Sequence, residues 1–360
     1  MTTVAAPLPL KPLAVGDVAI GFPVVQAALS GYSDMAMRVI ARRLGASYSL
    51  CEVVLDQVVL QAGKKLKKRY FQIDPDEHPV AGQLMGSDPA EFASAAKELV
   101  AAGFDVVDIN FGCPVKKVLG RCRGGFLLSD PATALEIVAR VREAVPSHVP
   151  VSLKMRRGLD DTNESRDNFF TIFDGAFARG AAAVTVHGRT VRQRYVGPSR
   201  WEFLTEVKRH AGSRTVLGSG DLFTPQACLD MLRTTGVDGV TVARGCIGNP
   251  WIFRQCRALA AGLPLPPPPS VFEQRDVIRE HYRLAEHVYG SNHFGRQMRK
   301  FGIKYSRLHP QALDVRNAFI AVSRNDQLEQ VLQRWYAEDL PGRYPPEHPE
   351  DEPGEASCGA

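Results

Sequence analysis

A chain of 360 residues, 44% hydrophobic and 23% charged, is long enough for one large domain and a smaller one and has the make-up of a globular protein. Its formal net charge of +5 permits a polyanionic partner without requiring one. No apolar run approaches the roughly 20 residues of a membrane span, the first residues lack a secretory pattern, and the seven cysteines form no C-x-x-C pair or zinc-like spacing with histidine. The expectation is a cytoplasmic protein with no membrane segment, no metal and no disulfide framework.

Residues 1–19 read as an N-terminal extension. The first strand is expected over Val24–Leu29, followed by a helix from Asp34 to Arg43 whose apolar face carries Met35, Val39, Ile40 and Leu44. Tyr48–Leu55 and Pro79–Met85 are the next strands, and Asp88-Pro89 opens a helix with an N-cap residue and a proline at the first helical position. Val106–Asn110 follows, with a helix after Ser129-Asp130-Pro131. Val151–Met155, Ala183–His187, Thr215–Gly218 and Gly239–Ala243 complete eight strand candidates. Eight β-α repeats over residues 20–262 match a (β/α)₈ TIM barrel. A doubly wound open sheet would want a G-x-G-x-x-G turn after its first strand, and there is none.

Residues 263–270, with Pro264 and Pro266 to Pro269, read as a stiff linker. Residues 271–340 read as a small all-helical domain with helices over Val271–Tyr289, His293–Leu308 and Ala312–Tyr336. Residues 341–360, rich in Pro, Glu, Asp and Gly, read as a disordered tail.

In such a barrel the working residues lie at the C-terminal ends of the strands. Polar residues fall there one after another: Ser30 and Gly31, Gln83, Asn110 and Cys113, Lys154 and Arg156, His187 and Arg189, Ser219 to Asp221, and Ala243 to Gly245. The stretch Asp108-Ile109-Asn110-Phe111-Gly112-Cys113-Pro114 puts a thiol just past a strand, behind a flexible Gly and a rigid Pro. The glycine-rich loops after strands seven and eight suit a phosphate held by backbone N–H groups, to which Arg244 adds a charge. A cationic Lys154 deeper in the mouth would suit the electron-rich edge of a reduced flavin. These arguments lead to a phosphorylated cofactor without naming it.

With these residues in place the sequence resembles the tRNA-dihydrouridine synthase family. The motifs that carry the resemblance are Asp108 to Val118, Gly124-Gly125-Phe126-Leu127-Leu128, Gln83 to Ser87, His187-Gly188-Arg189-Thr190 with Gln193, Tyr195 and Trp201, Gly218 to Asp221, and Arg244-Gly245 with Asn249 to Phe253. The last of these, with Arg296 to Tyr305, is most like the bacterial B-type subgroup. The resemblance implies an FMN enzyme that uses NADPH to reduce a uridine in the tRNA D-loop. Hydride passes from FMN N5 to uracil C6, and Cys113 protonates C5. Gln83, Lys154 and His187 map to FMN contacts, with Ser219, Gly220, Asp221, Ala243, Arg244 and Gly245 toward its phosphate end. Asn110 maps between flavin and uracil, with Arg189 and Tyr195 on the substrate side. Where the family's first loop reads A-P-M-A-G-x-T-D, this chain has Ala27-Ala28-Leu29-Ser30-Gly31-Tyr32-Ser33-Asp34, so Ala28, Leu29 and Ser30 take the flavin-facing places with altered side chains. Ser219 stands for the family's Asn in G-N-G-D.

A uridine in folded tRNA must leave its stack to be reached, so an RNA platform is expected around the mouth. Arg296, Arg299, Lys300, Lys304 and Arg307, with Phe301 and Tyr305 among them, fall on neighbouring helical turns and suit a phosphate backbone, or else form a solvated basic face. Lys64-Lys65, Lys67-Lys68-Arg69, Arg121 and Arg123 extend the same positive track, while Cys122 reads as incidental. A monomer is expected. The rival readings are a flavin barrel acting on a free pyrimidine, in the manner of dihydroorotate or dihydropyrimidine dehydrogenases, and an RNA-binding chaperone that has lost catalysis.

Overall fold

In the computed structural model, which describes residues 7–61, 63, 69–115, 119–120, 123–291 and 294–347, eight parallel strands close on themselves. A hairpin of β1 (Leu13–Val15) and β2 (Val18–Gly21) comes first. The barrel strands are β3 (Val24–Gln26), β4 (Ser49–Leu55), β5 (Val80–Met85), β6 (Val106–Phe111), β7 (Val151–Arg156), β8 (Ala183–His187), β9 (Thr215–Ser219) and β10 (Gly239–Val242). They pair in chain order, and β10 returns to β3 with Val240 opposite Val24. All eight expected strands are present. The first is three residues shorter than expected, because Leu29 N donates to Ser33 Oγ at 2.8 Å and folds the loop into a turn.

Helices α1 (Met35–Arg43), α2 (Asp56–Gln61), α3 (Pro89–Ala101), α4 (Pro131–Ala144), α5 (Asn163–Ala178), α6 (Trp201–Ala211), α7 (Pro225–Thr235) and α8 (Ile252–Ala260) lie between and after the barrel strands. Their starts follow the caps in the sequence. The Asp34, Asp88 and Asp130 carboxylates accept from the N–H groups of Met37, Ala90 and Thr133, each relieving an orphan donor worth about 1 kcal/mol.

The strands alternate. Outward residues such as Val107, Ile109, Leu153 and Val184 pack under the helices in the main core. Inward residues Val25, Leu50, Ala81, Val106, Ala183 and Leu217 meet Leu13, Val15 and Ile20 of the hairpin in a second, smaller core that stops the base of the barrel. The expected extension therefore contains a structural plug. Its turn is Val15-Gly16-Asp17-Val18, a two-residue loop with Gly16 at φ 56°.

Beyond the barrel come α9 (Val271–Tyr289), α10 (Phe294–Tyr305), α11 (Ala312–Ile320) and α12 (Asn325–Trp335). The single helix expected over Ala312–Tyr336 is broken, since Ser323 N and Arg324 N both donate to Gln327 Oε1 (2.8 and 3.1 Å) and cap a new start. Part of the expected disordered tail is ordered. Arg343 N donates to Leu308 O at 2.9 Å and Tyr344 Oη to Pro266 O at 2.8 Å, while residues 348–360 lie outside those described. Phe301 and Tyr305, expected among the RNA-facing residues, are core: both are buried, and Tyr305 meets Trp251 edge-on at 6.3 Å.

One buried ion pair anchors α1. Arg38 is 1% exposed and donates from Nε and Nη2 to the two oxygens of Glu77 (2.7 and 2.9 Å), from Nη1 to Ser33 O and from Nη2 to Gln72 O. Removing one member strands the other charge in the interior. Arg38→Met is expected to cost about 3–5 kcal/mol in urea unfolding, and Arg38→Met with Glu77→Leu to recover part of that loss.

Candidate active site

The strand register stacks the inward side chains at the C-terminal half of the barrel in layers. Asp108 is level with Gln83 and Ser152, Asn110 is level with Lys154 and Thr185, and Arg156 is level with His187 and Ser219. The period-2 alternation that buries Val106 below thus delivers Asp108 and Asn110 above it.

Asp108 is 2% exposed, and burial raises its carboxyl pKa while hydrogen bonds from Ser152 and Gln83 oppose the rise. Ser152 Oγ donates to Oδ1 at 2.5 Å and Gln83 Nε2 to Oδ2 at 2.7 Å. With its amide so oriented, Gln83 accepts from Asn110 Nδ2 at 2.8 Å. Asn110 then turns its oxygen to the backbone N–H groups of Gly112 (2.9 Å) and Cys113 (3.1 Å). A chain of side chains therefore runs from a buried carboxylate to the peptide of the thiol residue. Arg156 closes the other side, donating to Gly112 O (3.0 Å), Thr190 O (2.8 Å) and Arg194 O (2.7 Å).

Cys113 itself is half-buried at the mouth. Burial pushes its thiol above the usual value, against the opposing pull of the Val115 N–H and the Arg156 and Lys154 charges. It is a neutral acid whose conjugate base has stabilising groups already in place. Lys154 is held down to about 8 by desolvation and by Arg156, with Asp108 and Cys113 pulling the other way. No hydrogen-bond acceptor for its Nζ occurs among the described residues. His187 is buried and neutral, its pKa lowered first by desolvation and then by Lys154, Arg156, Arg189 and Arg244. Its Nδ1 accepts from Arg189 N at 3.1 Å, so Nε2 carries the proton.

The later loops are tied to one another. Arg189, 4% exposed, donates to Gly197 O and Asp221, and Asp221 also accepts from Ser199 N at 2.8 Å. Arg244 lies 3.7 Å from Asp221 and stacks over Tyr195 at 4.5 Å and Phe223 at 5.0 Å. Gly245 is required by close approach, since a Cβ there would lie 2.0 Å from Leu222 O. The rim of the mouth exposes Val115, Tyr195 and Val196.

A family model described as dihydrouridine synthase matches residues 25–340. This chain belongs to the dihydrouridine synthase family. It is 34% identical over 335 residues to a "Probable tRNA-dihydrouridine synthase" of Mycobacterium tuberculosis (strain ATCC 25618 / H37Rv), covering 91% of this chain and 85% of the relative. It is 33% identical over 333 residues to "tRNA-dihydrouridine synthase B" of Xanthomonas campestris pv. campestris, covering 92% and 98%. Among solved structures it resembles morphinone reductase in complex with tetrahydroNAD, with a TM-score of 0.53 at 14% identity over 73% of this chain and 93% of that one. Histamine dehydrogenase from Rhizobium sp. 4-9 is similar at 0.53 and 16%, over 76% and 50%. At such identities these structures share the fold alone.

For a dihydrouridine synthase, the donor set of the mouth fits a phosphorylated, electron-rich cofactor. Lys154 and the His187 Nε2–H face it, Arg189 Nη1 is buried without a partner among the described residues, and both carboxylates, Asp108 and Asp221, are occupied by protein donors. Gln83, Asn110, Cys113, Lys154 and His187 converge as expected from the sequence. The others lie at the strand ends with contacts of their own. Arg189, expected to touch substrate, is held inside by Asp221, and Asp221, expected at the cofactor's phosphate, is the counterion that joins the loops. Ala28, Leu29 and Ser30 line the turn after β3, and Ser219 and Gly220 follow β9, where Gly220 O accepts from Trp201 Nε1 at 3.3 Å. Ala243 leads into the short helix Arg244–Cys246.

Among the described residues, several of the basic side chains expected on the track are engaged within the fold. Lys300 turns inward, donating to Gly31 O. Arg299 and Lys304 are half-buried on α10, with Lys304, Arg307, Arg244 and Phe223 lining one small cleft. Arg123 donates inward to Gln57 Oε1 at 2.7 Å, and Arg69 stacks on Tyr70 and Tyr289. Lys64, Lys65, Lys67, Lys68, Lys116, Lys117, Arg121, Cys122 and the Arg296 side chain lie outside the described residues. Among the described residues there is no cluster of His, Cys, Asp or Glu fit for a metal, and no helix long and apolar enough to cross a membrane. Arg156, which the sequence reading places only among the strand-end polar residues, and Asp108, which it gives no role, carry much of the geometry, although a carboxylate within Val106-Val107-Asp108-Ile109 is a visible signal of a buried polar network.

Lys154 is charged below about pH 8 in the fold and below its ordinary 10.5 when unfolded, so in that window the unfolded chain binds more protons. The destabilisation it causes is complete below pH 8 and disappears as pH rises toward 10.5. Lys154→Met is therefore expected to raise the melting temperature of the cofactor-free protein at pH 7, with the gain shrinking toward pH 10, as measured by thermal scans across that range.

Proposed function

We propose that this protein reduces a uridine of the tRNA D-loop to 5,6-dihydrouridine, with FMN as its flavin and NADPH as the reductant. The observation that carries the reading is a thiol kept neutral by burial and fixed through Asn110, Gln83 and Asp108 at the mouth of a donor-rich barrel. The names of the relatives support tRNA as the substrate.

Gln83, Lys154 and His187 would hold the flavin ring, while Arg244 and the loops at 219–221 and 243–245 would hold its phosphate. FMN, when bound, supplies the hydride for uracil C6. The rest of the chemistry belongs to the chain. Cys113 Sγ–H gives its proton to C5, and the Val115 N–H, Arg156 and Lys154 stabilise the thiolate that remains. Because burial raises the thiol pKa, the acid keeps its proton and stays neutral at neutral pH. Asn110 holds the Cys113 peptide, and the half-exposed Tyr195 ring, braced by Arg244 and Arg156, offers a face to a base. Arg296, Arg299 and Lys304 on α10 would meet the RNA backbone. That basic helix has no task in the free-pyrimidine reading, and the preserved acid has none in a chaperone.

The test is to count dihydrouridine by mass spectrometry in tRNA from a strain lacking this gene, rescued by the wild type or by Cys113→Ala. Loss at one mapped position, restored by the wild type alone, is expected. In vitro the variant should retain its flavin and turn over about 10²–10⁴-fold more slowly. Dihydrouridine unchanged by the deletion in a strain with no second synthase would sink the tRNA reading, and full rescue by Cys113→Ala would remove the thiol from its role.

A further inference from the structure

The turn after β3 is gripped from outside the barrel. Gly31 N donates to the buried carboxylate of Glu52 at 2.8 Å, and on the other side of the same residue Gly31 O accepts from Lys300 Nζ of α10. Lys300 also stacks over the rings of Tyr32 and Phe301, each 5.2 Å from its Nζ, and Tyr32 meets Phe301 edge-on at 5.4 Å. One residue past Ser33, Asp34 Oδ2 accepts from Tyr289 Oη of α9 at 2.6 Å. One attachment from β4 and two from the helical region thus fasten the segment that begins with Ala28, Leu29 and Ser30. Asp34 and Glu52 supply the negative charge that keeps an ammonium in this half-buried place, with Arg69 opposing it.

We propose that Lys300 is a positioning residue for the cofactor-facing turn, Ala28 to Gly31, and that through it the helical region helps to hold the flavin. This inference rests on reading the mouth as a flavin site. In this chain the turn has lost the Pro and Met of the family pattern, so its own side chains restrain it less than a proline would. A charge-assisted bond to the Gly31 carbonyl supplies the missing restraint from another part of the fold. The same geometry removes Lys300 from the RNA surface, because its ammonium points into the joint between barrel and helices.

The experiment uses the full-length protein loaded with FMN. The FMN dissociation constant is measured by fluorescence recovery on dilution, the bound flavin's visible spectrum is recorded, and tRNA affinity is measured by filter binding for the wild type, Lys300→Met and Lys300→Arg. Lys300→Met is expected to weaken FMN about tenfold and to shift the flavin spectrum, with tRNA affinity within twofold of the wild type. Lys300→Arg, which keeps the charge and a donor, is expected to restore most of the FMN affinity and so to separate positioning from misfolding. The proposal is overturned if Lys300→Met weakens tRNA binding and leaves FMN unchanged, or if it changes neither. Failure of the wild type to bind FMN at all would overturn the flavin reading, and this one with it.

Discussion

A carboxylate inside a β-barrel must be satisfied, and the mouth of this one is arranged around that demand. Asp108 takes a proton donor on each oxygen, from Ser152 and from Gln83. Satisfying it orients the Gln83 amide, which leaves one orientation for Asn110, which in turn holds the Cys113 peptide. None of these groups has a free choice of rotamer or flip state once the first is set. The thiol owes its position to a residue five places earlier in the chain and one layer lower in the barrel.

The electrostatics run against stability. Lys154, Arg156, His187, Arg189 and Arg244 crowd one opening, and burial first, with their mutual repulsion added to it, lowers the pKa values of Lys154, Arg156 and His187. A surface of this kind is a destabilised ground state waiting for negative charge. The aromatic ring of Tyr195 between Arg156 and Arg244 and the carboxylate of Asp221 between Arg189 and Arg244 relieve part of the strain. Joining the loops in this way restrains the opening through contacts within the chain itself.

The architecture was legible because its signals are local. Strand runs ending in Asn110, Lys154 and His187, and the caps at Asp34, Asp88 and Asp130, each lie within a few residues of the element that they mark. Cys113 could be singled out for the same reason. What escaped depends on partners far along the chain. Lys300 sits on a helix that is basic on more than one side, and spacing alone could not say that Gly31, 269 residues away, would take its ammonium. Arg189 and Asp221, each read as a ligand-binding residue, also bind each other, a pairing that spacing alone did not show. Phe301 and Tyr305 are grouped with the RNA-facing residues because basic neighbours flank them, yet they face the core. The base hairpin was missed for another reason: its strands, Leu13–Val15 and Val18–Gly21, are too short to show a period.

That hairpin has a consequence for proton supply. Leu13, Val15 and Ile20 close the lower end of the barrel with an apolar layer, beneath the polar layers that begin at Asp108. The mouth at the C-terminal ends of the strands is therefore the side on which solvent would reach the thiol. On the proposed mechanism, a thiolate left at Cys113 after giving up its proton would be resupplied through the same opening that a bound RNA would cover. On that reading, departure of the product and recharging of the acid would be one event, and each docking of a substrate would carry a single proton's worth of chemistry.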